Sequence, residues 1–162
     1  MTHHLRLRPE LLGPVVEALD RAERRAEIRL RGSSMSPAFQ HGDTLRLVPA
    51  ASGGLRFGTV VVWLGASGPR THRLVGRLRR NGEPWLLTKG DSLWRFDPPF
   101  PADRVAAIVA ARVRGEAVIA LDRGWPRIAG ILRGVRSLGG GVIGESGERL
   151  RKGVRRLAGW PR

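Results

Sequence analysis

Residues 71 to 88 read Thr71-His72-Arg73-Leu74-Val75-Gly76-Arg77-Leu78-Arg79-Arg80-Asn81-Gly82-Glu83-Pro84-Trp85-Leu86-Leu87-Thr88. The run from His72 to Leu78 and the run from Trp85 to Thr88 each have the length and apolar texture of a strand. Between them stands Asn81-Gly82, a pair that readily takes the two left-handed conformations of a tight hairpin turn. A hairpin is therefore predicted here. Working outward, the same texture recurs at Thr44 to Val48, Thr59 to Leu64 and Arg104 to Ile119, punctuated by Gly53-Gly54, Gly65 to Gly68 and Gly90-Asp91. From Ile28 to about Ile119 the chain reads as a small, coiled β-domain, mainly β within an α+β class. Periodicity does not say how strands beyond the hairpin pair.

The flanks have a different period. From Pro9 to Glu27, Leu11, Leu12, Val15, Val16, Leu19, Ala22 and Ala26 recur at spacings of three and four with charges between them, which predicts an amphipathic helix packed on the body by one face. After Asp122, Ile128, Ile131, Leu132, Val135 and Leu138 alternate with Arg127, Arg133 and Arg136, a short basic amphipathic helix that ends at Gly139-Gly140-Gly141. A second basic helix is predicted over Glu148 to Ala158. The expected organisation is an N-terminal helix in residues 1–30, a β-domain in 31–122 and a basic amphipathic tail in 123–162.

With 162 residues, 41% of them hydrophobic, the chain can bury a real core. It holds no run of about 18 apolar residues, and charges interrupt its first thirty residues, so neither a spanning helix nor an export signal is expected. The expectation is cytoplasmic residence, with peripheral contact to an anionic membrane through residues 125–160. Zero cysteines exclude disulfides, cysteine-ligated zinc and thiol catalysis, and the four histidines lack helical metal-ligand spacing, so no metal and no cofactor is expected. The formal net charge is +15, and all 29 basic residues except Lys89 and Lys152 are arginine. Residues 118–162 hold ten basic and three acidic residues, a net +7. Such a charge attracts polyanions in a salt-sensitive, nonspecific way. No specific nucleic-acid partner is predicted from it, and a catalytically silent basic β-module binding nucleic acid or anionic membrane is the alternative to the enzyme argued next.

The chemistry is concentrated in Arg31-Gly32-Ser33-Ser34-Met35-Ser36-Pro37, followed by His41-Gly42-Asp43 and a strand. A serine acts as a nucleophile when one group removes its proton and others hold the oxyanion formed on attack. Gly32 permits a sharp turn from which Ser34 projects, with backbone N–H groups near Ser34 placed to face a carbonyl. Met35 is expected to fill an apolar gap beside the nucleophile and Pro37 to fix the loop's exit, while Ser33 and Ser36 offer further donors. His41 and Asp43 read as turn residues.

The full pattern Gly32-x-Ser34-Met35-x-Pro37 with Gly42-Asp43 resembles the first catalytic box of type I signal peptidases and LexA-like serine peptidases. In most bacterial members a second-box lysine is the base. Here that position, 38 residues after Ser34, is His72 in Thr71-His72-Arg73-Leu74-Val75. This resembles the archaeal, endoplasmic-reticulum and sporulation-type branch, in which histidine is the base. A third box, Leu87-Thr88-Lys89-Gly90-Asp91-Ser92, is followed six residues past Asp91 by Asp97. The resemblance spans about residues 31–111 and implies a coiled β-domain of the LexA/signal peptidase type, with Ser34, His72 and Asp97 as catalytic residues. The offset favours Asp97 as the acid that orients His72; Asp91 stays open for that role or as a turn cap. The chemistry suits the assignment, because an ordinary imidazole, with a pKa of about 6.5, accepts a proton near neutrality without the deep burial a lysine base needs.

Two departures bear on function. Many signal peptidases carry a serine two positions before the nucleophile; that position here is Gly32, so backbone donors must hold the oxyanion. Family members are also anchored by spanning segments, and a self-cleaving regulator of the LexA type needs a DNA-binding domain ahead of its catalytic box, where about thirty residues precede Gly32. The implied activity is an endopeptidase without its own anchor that cuts a protein or peptide precursor, such as a signal or leader peptide.

Overall fold

The computed structural model describes residues 11–22, 26–66 and 68–121, together with 131, 132 and 135. One helix, α1 (Leu12–Arg21), precedes the strands β1 (Ala26–Arg29), β2 (Thr44–Val48), β3 (Val60–Gly65), β4 (Gly68–Arg80), β5 (Glu83–Lys89), β6 (Phe100–Pro101), β7 (Val105–Arg114) and β8 (Ala117–Ala120). A single turn, α2 (Ala50–Gly53), follows β2. The protein is mainly β: one antiparallel sheet in the order β1-β2-β7-β3-β4-β5-β6, with β8 also on β7. β7 organises it. Along one side it pairs with β2 through Ile108 to Val113; along the other it pairs first with β3 through Val105 to Ile108 and then with β8 through Ala111 to Arg114. Extra residues at Arg46/Leu47, Val62/Trp63 and Leu74/Gly76 shift the register and increase the local twist.

The β4–β5 hairpin forms as its sequence predicts. Asn81 and Gly82 have φ of 51° and 82°, the left-handed pair that matches the twist of the flanking strands. The run Arg104 to Ile119, by contrast, is not one strand, because it turns at Gly115-Glu116 to give β7 and β8. The N-terminal helix is also shorter than its apolar spacing suggests. It ends at Arg21, and Ala26 and Glu27 lie in β1 opposite Leu47 and Arg46. Ala26 is buried there among core side chains, so strand pairing outweighs a helical pattern that only alanines extend. In the tail, Ile131, Leu132 and Val135 have helical backbone and exposed side chains; the remainder of the predicted tail helices and of residues 125–160 lies outside the described residues.

The sheet buries both faces at its centre. Val60 and Val62 point to one side with Leu12 and Val16 of α1, Met35, Phe39, Leu45 and Val109. Val61 and Trp63 point to the other with Leu74, Leu86, Phe100 and Ile108. There Trp63 and Phe100 stack with centroids 4.1 Å apart. Each such side chain contributes about 1.5–3 kcal/mol on burial, so the apolar face of every central strand is committed to one cluster. Among the described residues, no helix is long and apolar enough to cross a membrane.

Candidate active site

The loop between β1 and β2 is closed at its neck and plugged at its centre. Leu30 N–H donates to Asp43 O and Gly42 N–H to Leu30 O, at 2.8 and 2.9 Å. Met35 and Phe39, 1% and 2% exposed, insert into the core with Ala38, and Arg112 Nη1 donates to Ala38 O. Met35, next in sequence to Ser34, is thus part of the core cluster. Gly32 has φ of 88°, which a side chain resists, and its N–H donates to His41 Nδ1 at 3.3 Å. The Ser36–Pro37 peptide is cis. Asp43, buried, accepts Gln40 N–H at 2.8 Å, the turn bond expected of it, and also a bidentate pair of bonds from Arg114 at 2.7 and 2.8 Å. The hydrogen bond from Arg114 is the main reason its carboxyl titrates below the ordinary range; burial opposes the shift and Gln40 N–H assists it. A cavity of about 300 Å³ at this neck is lined by Arg29, His41, Asp43 and Arg114 and by none of Ser34, His72 or Asp97.

With the loop so held, Ser34 lies half-buried over β4. Its Oγ is 3.1 Å from Nε2 of His72, a buried residue of β4. The opposite ring nitrogen, Nδ1, is 2.6 Å from Oδ2 of Asp97, which is buried as well. A carboxylate at Nδ1 selects the tautomer that carries its proton there, leaving Nε2 as the acceptor that faces the serine. Ser34 of the first box, His72 of the second and Asp97 just past the third therefore form one hydrogen-bonded line. Asp91, the other candidate acid, is placed elsewhere. Its two oxygens accept from Nε and Nη2 of Arg73 at 2.8 and 2.7 Å, and both side chains are 4% exposed. Asp91 pairs with Arg73 and not with His72, because adjacent strand residues point to opposite faces of β4. The turn that carries Asp91 is closed by Leu93 N–H on Gly90 O, at 3.1 Å.

Four residues at the site received no role from sequence. Thr88 donates through Oγ1 to Asp97 Oδ2 at 2.7 Å. Arg70 Nη1 lies 3.5 Å from Asp97 Oδ1 and its guanidinium carbon 5.8 Å from the Trp63 ring centroid. Ser92 stitches the third box to the Ser34 loop, its N–H on Ser34 O at 3.0 Å and its Oγ on Ser33 O at 2.9 Å. Gly90 lies so close that a Cβ added to it would stand 2.6 Å from Ser34 O. Period two along β4 links Arg70 to His72 and was available as a signal; the other three depend on how the loops meet. Of the expected oxyanion donors, Ser36 N–H is already bonded to Ser33 O at 3.0 Å, whereas Ser34 N–H has no acceptor among the described residues. Lys89 is buried, which lowers its pKa, with the charge of Asp91 working against the shift. Among the described residues, no group of three or more His, Asp or Glu is placed to share a metal ion.

Comparison of the chain with protein-family models, with curated proteins and with solved structures finds no match. What the fold and the site define is a mainly β protein that carries a serine, a histidine and an aspartate in hydrogen-bonded line.

Proposed function

We propose that the protein is a serine endopeptidase of the signal peptidase and LexA-like kind, in the histidine-base branch, acting on a protein or peptide precursor. The observation that carries the reading is the line Ser34 Oγ–His72 Nε2 at 3.1 Å and His72 Nδ1–Asp97 Oδ2 at 2.6 Å. In acylation His72 Nε2 takes the Ser34 proton as Oγ attacks the scissile carbonyl, and Asp97 stabilises the imidazolium that forms. The tetrahedral oxyanion is met by Ser34 N–H, whose donor is uncommitted among the described residues. His72 then returns the proton to the leaving amine, and a water activated by the same nitrogen releases the acid and restores Ser34. No hydroxyl at position 32 is available, so this site relies on backbone donors where many signal peptidases use a serine.

The test is a comparison of protein N-termini in the native host carrying wild-type protein, Ser34→Ala or His72→Ala. Termini lost in both variants support the peptidase, and their sequences name the precursor. Unchanged termini in both, with the variants folded, sink it. Salt-sensitive binding to nucleic acid or anionic vesicles that survives Ser34→Ala would then favour the basic module.

A further inference from the structure

Asp97 lies on the loop that follows β5, and that loop is exposed where it leaves the site: Leu93 and Trp94 are 40% and 46% exposed. A carboxylate on such a loop has rotamers to lose, and orienting an imidazole requires that one of them be held. Thr88 supplies the hold. It is fully buried, and sheet pairing fixes it on β5 opposite Leu74 of β4, two residues beyond His72. Asp97 N–H donates to Thr88 O at 2.9 Å, while Thr88 Oγ1 donates to Asp97 Oδ2 at 2.7 Å. The two residues grip each other once through the main chain and once through side chains.

The side-chain bond falls on Oδ2, the oxygen that also receives His72 Nδ1. An ionised carboxylate only accepts, so both bonds run toward Asp97 and together they fix which of its lone pairs faces the ring. Arg70 is the weaker support. Its contact to Oδ1 is 3.5 Å long, and its side chain is 44% exposed and open to screening.

We propose that Thr88 is a positioning residue of the site, its hydroxyl holding Asp97 in the rotamer that presents Oδ2 to His72. The proposal rests on the peptidase reading above. It ranks Thr88 above Arg70 and requires the hydroxyl itself, not the shape of the side chain.

The experiment uses the full chain with Thr88→Val, Thr88→Ser and Arg70→Gln. The first readout needs no substrate: the proton NMR resonance of His72 Nδ1–H, shifted downfield by its short bond to Asp97 and assigned by its loss in His72→Gln. Thr88→Val should lose this resonance or move it upfield, while Thr88→Ser keeps it. The second readout is the rate of processing of a precursor whose cleavage is lost in Ser34→Ala. Removing a buried hydrogen bond to a charged group predicts a fall of about 10- to 100-fold in Thr88→Val, carried by kcat with KM unchanged. Thr88→Ser should recover to within about threefold, and Arg70→Gln should cost less than Thr88→Val. A thermal melt confirms that each variant is folded. Absence of the downfield resonance in the wild type, or its persistence unmoved in folded Thr88→Val, overturns the proposal even if cleavage stands. Thr88→Val cleaving at the wild-type rate overturns it too. If the Ser34→Ala termini are unchanged, the peptidase reading fails, and the proposal with it, whatever the resonance shows.

Discussion

Gly90→Ala tests the packing between the third box and Ser34 more directly than any substitution of Ser34, His72 or Asp97. A Cβ at position 90 would meet Ser34 O at 2.6 Å and the Leu93 side chain at 3.0 Å. Leu93 is partly exposed and its tip can yield, but Ser34 O is backbone. Restoring ordinary contact at about 3.4 Å needs a shift of about 0.8 Å, taken mostly by the nucleophile loop. That shift strains Ser92 N–H on Ser34 O and opens the 3.1 Å approach of Oγ to His72 Nε2. A misplacement near 1 Å at a reacting centre costs about 100-fold, whereas crowding a packed site by one methyl costs about 1–3 kcal/mol of stability. On the proposed peptidase reading, the expected outcome is a folded protein, melting somewhat lower, whose Ser34-dependent cleavage is about 100-fold slower. Circular dichroism melts and processing rates measured on the same preparation separate the two effects. A folded Gly90→Ala chain with a rate within twofold of wild type would refute the reasoning, since the loop would then absorb the methyl without moving the serine.

Three further outcomes follow from pairings elsewhere. Arg73→Met removes the paired guanidinium from buried Asp91, leaving the nearby Lys89 charge, and also the bond to Gly58 O, and should destabilise by up to about 3–5 kcal/mol, with only part of the loss recovered in the double variant Arg73→Met/Asp91→Leu; denaturant unfolding of the two singles and the double measures this. Asp43 titrates below its ordinary value of 3.8 in the folded chain, so its contribution to stability is complete above that value and disappears as pH falls through the lower, folded one. Arg114→Met should therefore move the midpoint of acid unfolding to higher pH, read from melts taken between about pH 5 and pH 2. Phe100→Ala removes the ring stacked on Trp63 and should cost about 3–5 kcal/mol in the same denaturant assay, with Trp63 fluorescence reporting the loss.

The local parts of this fold are legible in the sequence because their physics is local. Thr44 to Val48 is a strand in both readings, and Asn81-Gly82 names its own turn through its φ angles. What sequence does not show is the choice of partner. Nothing in the period of β7 says that it takes β2 along one edge and β3 and then β8 along the other, because an apolar alternation fits any neighbour whose inward face matches. Ala26 makes the same point at the helix end. As for the site, motif spacing brings out Ser34, His72 and Asp97, which the structure sets in line. The same spacing leaves Asp91 as a rival, and only the Arg73 guanidinium on the opposite face of β4 removes it. Thr88 stands in plain view within the third box, but its value depends on Asp97 folding back over it, a loop path no propensity encodes.

That loop path explains how one site is assembled from parts of unequal rigidity. His72 and Thr88 belong to paired central strands, so their positions are set by the sheet and its two apolar clusters. Ser34 and Asp97 belong to loops and must be brought to the sheet by specific bonds. Ser34 is brought from below by the buried Met35 and Phe39 and from the side by Ser92; Asp97 is brought by the reciprocal bonds to Thr88. Damage to the sheet therefore removes fold and site together, whereas damage to these tethers leaves a folded chain whose serine and carboxylate no longer meet the same imidazole. Ser92→Ala discriminates between these cases, because it deletes the Oγ bond to Ser33 O without touching either apolar cluster. A neutral hydrogen bond at an exposed position contributes about 0.5–1.5 kcal/mol, so the melt should fall by only a few degrees while, on the peptidase reading, cleavage slows by up to about tenfold. A cleavage rate within twofold of wild type would mean that the Ser34 loop is held by the core alone, and that the stitch between the first and third boxes is incidental to the proposed catalysis.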